Sequence, residues 1–372
     1  MRLKLLQIGA GLGRSLLHFP ASASPQRILV IKPDHLGDVL LSTPALHRLR
    51  QLRPQAFIGG LVGPWAAAIL ANNPDLDTLL TFPFPGFARE AKKQNFWQPY
   101  GMLWSAAQLL RAGHFDQAFL LRDDHWWGAA LTMLAAIPHR VGYAVPECKP
   151  FLTDPLPWEP TQHVTVQALA LVEPSAFAFQ RSPLVFKPTE GEVTWARRWV
   201  KQHLQPGERL VILHPGTGGP TKLWLPPYWI KVAQNLARRP KVRLLLTGGT
   251  NEQHLVEALA LALSPSPLTL IGATSVGQLA ALQKQASLVL GVDSGPLHLA
   301  VSQGTPSIHL FGPSDAKRFG PWGDPSRHRV IQSALECSPC GHFLSCPRGT
   351  NPVECMQALQ PEDVLQVLSE LI

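Results

Sequence analysis

Ser287-Leu-Val-Leu-Gly-Val-Asp293-Ser294-Gly295-Pro296-Leu-His298-Leu-Ala300 is an apolar run that ends in an acid, a small hydroxyl and a glycine, after which a proline opens a helical pattern. Proline in the first turn of a helix costs no hydrogen bond, because the first amides of a helix lack partners anyway. The stretch therefore reads as a buried strand feeding a helix whose unpaired N–H groups point back at the strand's carboxyl end. Those donors and the helix dipole both favour negative charge. A phosphate-bearing ligand suits this turn, with Asp293, Ser294, Gly295, Pro296 and His298 around it.

Working outward, short apolar runs alternate with helical patterns along most of the chain. In the first half, strands are expected at Ile28–Ile31, Phe57–Val62, Thr78–Phe82, Gln117–Leu121 and Arg140–Tyr143. Helical patterns fall between them: one through Leu40, Leu41, Leu46 and Leu49, then Trp65–Ala71, Met102–Arg111 and Trp126–Ala136. Eight prolines lie between Pro146 and Pro188, around one helical pattern at Val164–Val172, and this stretch reads as a domain connection. The alternation then resumes with strands at Leu210–Leu213, Val242–Leu246, Leu268–Ile271, Leu288–Val292 and Ser307–Phe311, separated by helices. Such alternation implies parallel, doubly wound sheets, so the fold class expected is α/β, with two Rossmann-like domains facing a cleft. The expected boundaries are an N-terminal arm at 1–26, a first domain at 27–185, a second at 186–335, and a cysteine-rich tail with a C-terminal helix at 336–372.

With 372 residues the chain has room for two ordinary cores. Its 33 basic and 25 acidic residues give a net charge of +8, which suits anionic partners such as phosphosugars or an acidic membrane surface. No long Lys/Arg run and no basic-aromatic motif of nucleic-acid modules is present, which argues against nucleic acid. No stretch approaches the roughly 20 apolar residues of a membrane helix. The first 26 residues carry Arg2, Lys4 and Arg14 among leucines; Gln7 and Arg14 interrupt the apolar region that a cleaved signal needs. A packed arm and a short amphipathic element on a membrane surface both fit them.

Three further strand-to-helix turns hold candidate chemistry. His214-Pro-Gly216-Thr217-Gly-Gly-Pro-Thr-Lys222 places glycines, a hydroxyl and a mobile cation after a strand, though not with Walker spacing. Leu246-Thr-Gly-Gly-Thr-Asn-Glu252 offers a carboxylate to a sugar or ribose hydroxyl, or simply an acid at a helix start. Lys32-Pro-Asp34-His35-Leu-Gly37-Asp38 sets Asp38 at a helix start, where it is either a proton acceptor or an ordinary N-cap. Lys32 and Arg122 are candidates to grip an acceptor; for Arg122-Asp-Asp-His125-Trp-Trp127 the alternative is a solvated loop with tryptophan packed into the core. Asp75-Leu-Asp77 lies in turn composition and is read as a turn. Cys337, Cys340, Cys346 and Cys355 could hold a structural zinc ion tetrahedrally or form two disulfides.

Taken together, Lys32…Gly37-Asp38-Val-Leu-Leu-Ser-Thr-Pro44, Arg140-Val-Gly-Tyr143, His214-Pro-Gly216…Lys222-Leu-Trp224 and Val292-Asp293-Ser-Gly-Pro-Leu-His298 resemble the heptosyltransferase family, glycosyltransferase family 9. Their order spans roughly residues 27 to 323. The resemblance implies a GT-B fold and an inverting, metal-independent transfer from a nucleoside-diphosphate sugar, with ADP-heptose favoured and no cofactor required. The acceptor it implies is a lipid-linked glycan of the lipopolysaccharide core or a related glycan, met at the cytoplasmic face of the cell membrane. By motif, Asp38 would be the base, Lys222 and the Asp293–His298 turn would hold donor phosphates, and Thr217 and Glu252 would hold phosphate or sugar. Two other classes fit a similar architecture: a nucleotide-sugar epimerase and a non-catalytic carbohydrate-binding protein. A dehydrogenase is disfavoured, because neither half carries G-x-G-x-x-G after its first strand.

Overall fold

The computed structural model describes residues 27–87, 98–174 and 182–372. The N-terminal arm at 1–26 lies outside the described residues. The chain divides between Val185 and Phe186 into two units, each built on its own sheet.

In the first unit the strands are β1 (Arg27–Lys32), β2 (Phe57–Val62), β3 (Thr78–Thr81), β4 (Gln117–Leu120), β5 (His139–Tyr143) and β6 (Asp154–Leu156). Its helices are α1 (Leu36–Leu41), α2 (Thr43–Leu52), α3 (Ala67–Leu70), α4 (Gln98–Arg111), α5 (Trp126–Leu134) and α6 (Val164–Val172). All pairings are parallel, in the order β3-β2-β1-β4-β5-β6. β1 is buried almost throughout because both faces of a parallel sheet are covered, which is why its sequence is a continuous apolar run.

The single helix expected through Leu40 and Leu49 is two. Ser42 ends α1, and Pro44, which cannot donate to an i−4 carbonyl, sits in the first turn of α2. Much of the proline-rich stretch proves to be integral to this unit rather than a connector. β6 pairs with β5 at the sheet's edge, where Pro155 opposite Gly142 breaks no ladder on its outer side. Tyr143 donates its hydroxyl to the Gln167 carbonyl, tying α6 to β5.

The second unit repeats the plan with β7 (Arg209–His214), β8 (Val242–Gly248), β9 (Leu268–Ile271), β10 (Leu288–Val292), β11 (Ser307–Phe311) and β12 (His328–Gln332). Its helices are α7 (Glu190–His203), α8 (Pro226–Ala237), α9 (Gln253–Leu261), α10 (Val276–Gln283), α11 (Gly295–Ser302), α12 (Ala316–Phe319), α13 (Glu354–Gln357) and α14 (Pro361–Leu371). The strands are again parallel, in the order β12-β11-β10-β7-β8-β9. α7 was missed in the sequence although its capping box is there: Thr189 accepts from the Glu192 amide and Glu192 accepts from the Thr189 amide.

One face of this sheet, with Val211, Leu213, Leu244 and Leu246, packs against Trp229, Met356, Val364 and Leu368. The chain beyond residue 336 is therefore not a loose tail: α13 and α14 complete the second core. Trp224, fully buried, donates its indole N–H to the Leu359 carbonyl at 2.9 Å and fastens that closure.

In both units the first strand is flanked by the second and the fourth. The direction of winding reverses between β1 and β4, and again between β7 and β10. Loops leaving those paired strands diverge and leave a crevice beyond their carboxyl ends, which is where ligands of such sheets bind.

Candidate active site

In the second unit the sequence-predicted residues converge at that reversal. The loop after β7 carries Thr217 and Lys222, and the turn after β10 carries Asp293 and Ser294. Lys222 Nζ donates to the Asp293 carbonyl at 2.9 Å and to its Oδ2 at 3.1 Å, while Thr217 Oγ1 donates to the same carbonyl at 3.2 Å. Ser314, in the turn after β11, donates to Asp293 Oδ2 at 2.6 Å, and His298 Nε2 stands 3.9 Å from Oδ1. Asp293 is thus the hub. Its carboxylate accepts from Lys222 and Ser314, with His298 alongside.

Gly295 and Pro296 open α11 behind an extended Ser294, and none of the first-turn amides is taken by a side-chain cap. The Ser294 hydroxyl is buried and has no hydrogen-bond partner among the described residues. An unpaired buried hydroxyl beside orphan amides and a lysine is the chemistry of an anion cradle.

Glu252 closes the short 3-10 turn Thr250–Glu252 before α9 and accepts from the Gly249 amide at 2.7 Å, so it does stabilise a helix start. It also leans over the loop after β7: a Cβ on Gly216 would lie about 2 Å from its carboxylate. Only glycine lets backbone and carboxylate approach this closely. His214, buried beneath them, has its Nε2 3.8 Å from Glu252 Oε2 and shares a 3.0 Å hydrogen bond with Thr247. Burial lowers its pKa against the pull of Glu252, keeping the ring neutral.

In the first unit, Lys32 and Arg122 meet as well, at the ends of β1 and β4, but they are joined by Asp34. Lys32 Nζ lies 3.0 Å from Asp34 Oδ2, and Arg122 bonds both Asp34 and Asp124. Part of the charge expected to face an acceptor is therefore neutralised internally. Burial alone would raise the Asp34 pKa; the Lys32 and Arg122 charges beside it overcome that and take it from 3.8 to about 2. Because the folded value is the lower one, Asp34 stabilises the fold above about pH 4, and that contribution is lost as pH falls towards 2. Asp34→Asn is expected to lower stability at neutral pH by about 2 kcal/mol, with the difference closing below about pH 3. Urea melts at both pH values measure this; equal differences would contradict it.

Beside this cluster, Trp127 is buried and donates to the Pro99 carbonyl, so that part of the Arg122–Trp127 stretch is core. His125 is buried among Phe84, Phe87 and Trp127, and burial lowers its pKa to about 3.

Asp38 lies in the first turn of α1, half-buried, six residues beyond β1. The N-cap of that helix is His35, so Asp38 is not the N-cap aspartate of the alternative reading. Asp75 and Asp77 are spent locally, on His47, on Arg50 and on the Ile58 amide, as turn residues are.

All five cysteines are free thiols: Cys337 and Cys340 exposed, Cys346 half-buried, and Cys148 and Cys355 buried. Among the described residues no three His, Cys, Asp or Glu side chains stand as a set that could hold a metal ion. The four cysteines of this stretch nevertheless stay near one another, since Cys340, Cys337 and Cys346 all act electrostatically on the Cys355 thiol. Cys355 is drawn into the core beside Met356, where burial pushes its thiol up to about 11.

Asp34, His214 and Ser314 were not singled out from sequence. His214 lay within a quoted motif, and Ser314 follows a strand through Gly312-Pro313, the same turn signal that marks the other site loops.

The two doubly wound units, each on a parallel six-stranded sheet, have the architecture of the GT-B fold. The profile of Glycosyltransferase family 9 (heptosyltransferase) matches residues 103–346, and the chain belongs to that family. It is 27% identical to lipopolysaccharide heptosyltransferase 3 of Escherichia coli (strain K12) over 350 residues, 88% of this chain and 96% of that one. A glycosyltransferase family 9 structure from Veillonella parvula superposes with a TM-score of 0.80 at 22% identity, over 95% of this chain and 99% of that one. The ADP-heptose lipopolysaccharide heptosyltransferase II of E. coli gives 0.72 at 22% identity, over 93% of this chain and 98% of that one.

Proposed function

We propose that this glycosyltransferase moves a heptose from ADP-heptose onto a sugar of a lipopolysaccharide core or a related lipid-linked glycan, with inversion and without a metal. The observation that carries the reading is the cradle of Lys222, Ser294 and the first turn of α11, which suits a diphosphate. Family membership and the relatives' names supply heptose and lipopolysaccharide.

In this reading the second unit takes the donor and the first unit takes the acceptor. The acceptor hydroxyl gives its proton to the Asp38 carboxylate as its oxygen bonds the anomeric carbon. The bond from that carbon to the diphosphate breaks, and its electron pair leaves with ADP. The growing charge on ADP is met by the Lys222 ammonium and the α11 amides, donors already in place before reaction. A single displacement inverts the centre. No cofactor enters.

Product analysis with ADP-heptose and a heptose-deficient lipopolysaccharide tests it. ADP released one-for-one with a new glycoside, at a rate indifferent to chelators, is expected. A free isomerised sugar made without acceptor would mean an epimerase, and binding without turnover would mean a carbohydrate-binding protein.

The lipid-linked acceptor places the enzyme at the inner membrane face in this reading. No described helix is long and apolar enough to cross a membrane. α4 instead supports contact with a surface. It contains no acid, and Tyr100, Trp104 and Leu109 on it are 44%, 56% and 73% exposed, with Arg111 beside the Trp104 ring. Tryptophan and tyrosine favour the membrane–water boundary, and the net charge of +8 favours anionic lipid. Trp104→Ser is expected to weaken sedimentation with anionic vesicles by about tenfold, leaving transfer to a delipidated acceptor unchanged. Wild-type sedimentation by the variant would remove α4 from the contact.

A further inference from the structure

The cysteine-bearing loop between β12 and α13 plays no part in the chemistry proposed above, yet it is fastened to two of the turns around the donor site. Thr221 Oγ1 donates to the His342 carbonyl at 2.8 Å, and the Thr221 amide reaches the Phe343 carbonyl at 3.4 Å. The Cys340 and Gly341 amides both donate to the Pro313 carbonyl, at 3.1 and 2.9 Å, and Ser338 Oγ donates to the Gly312 carbonyl at 2.6 Å. The first of these turns carries Lys222. The second carries Ser314, which holds the Asp293 carboxylate. The loop thus spans both halves of the Lys222–Asp293 pair.

Its tip is Phe343. The ring centroid lies 5.1 Å from Lys222 Nζ, and the loop sits so close to the glycine-rich turn that a Cβ on Gly219 would come within 3.0 Å of the Phe343 backbone and Cβ. At 38% exposed, Phe343 is one of the few large apolar side chains the second unit shows to solvent.

A lysine on four rotatable bonds does not stay where a ligand needs it unless something holds it. Asp293 does so, but a carboxylate also neutralises the charge it holds. An aromatic face complements it, since the ring quadrupole attracts the ammonium and excludes water while adding no formal negative charge. An anion arriving at the cradle then meets a lysine held by both Asp293 and a ring.

We propose that Phe343 is a positioning residue of the donor site, its ring holding the Lys222 ammonium ready for the donor's diphosphate, and that the cysteine-bearing loop is the strap that sets the ring there. This rests on the donor-site reading above.

Calorimetric titration of ADP, with donor and acceptor KM and kcat, into the full chain and its Phe343→Leu, Phe343→Tyr, Lys222→Ala and Lys222→Ala/Phe343→Leu forms tests it. Leucine fills similar space without a quadrupole. Phe343→Leu is expected to weaken ADP binding and raise donor KM by about tenfold, with acceptor KM and melting temperature unchanged. Phe343→Tyr should restore wild-type affinity, and the double variant should be no worse than Lys222→Ala, because the ring acts through the lysine. Wild-type binding by Phe343→Leu, or equal damage from Leu and Tyr, overturns the inference and leaves the donor site standing. Wild-type binding by Lys222→Ala overturns the donor-site reading itself.

Discussion

Asp38→Asn is expected to slow sugar transfer by about 10²- to 10⁴-fold while donor affinity and melting temperature stay close to wild type. Asparagine keeps the volume and the hydrogen-bonding outline of the side chain but cannot accept the acceptor's proton. The fold should tolerate the change. Asp38 is half-buried in the first turn of a helix whose N-cap is His35, and the attraction of a carboxylate to a first turn that asparagine gives up is worth about 0.3–1 kcal/mol. Initial rates at saturating donor and acceptor measure the effect. Transfer at the wild-type rate would remove Asp38 from the mechanism and leave a binding site without its base.

Lys222→Ala should weaken ADP binding by about 10²- to 10³-fold, a loss of roughly 3–4 kcal/mol. Two effects add. The cation that meets the diphosphate is gone, and the Asp293 carboxylate it covered is left with Ser314 and with His298 at 3.9 Å, facing an incoming anion. Breaking one side of a partly buried pair is costly because the other charge stays behind. It follows that Lys222→Ala/Asp293→Asn should bind ADP better than Lys222→Ala alone. Were the double variant the weaker of the two, Asp293 would be touching the donor itself rather than holding the lysine, and its place as the hub of the site would have to be given up.

Much of the fold was readable because buried parallel strands announce themselves. Phe57–Val62, Leu288–Val292 and Ser307–Phe311 are largely apolar, buried runs whose ends coincide with the observed strands. Elements without that signature were missed. β6 is three residues with a proline at the edge, and β12 is an edge strand in which only His328 is buried and arginine and glutamine interrupt the apolar residues. The proline-rich stretch looked like a connector because proline marks turns, whereas here it borders an edge strand and a helix of the first unit.

By itself, the sequence determined which loops follow strands and which of them carry an acid, a lysine or a helix-opening proline. Those are local matters of periodicity, propensity and capping, decided within a few residues. The tertiary structure decided who meets whom. Lys222 finds Asp293 across 71 residues, and Arg122 finds Asp34 across 88, because sheet order sets β7 beside β10 and β1 beside β4. Phe343 reaches Lys222 only because α13 and α14 close the second core and leave the preceding loop lying across the donor turns. Pairings at such separations depend on how distant strands order themselves around a core, and no local pattern in the chain encodes that order.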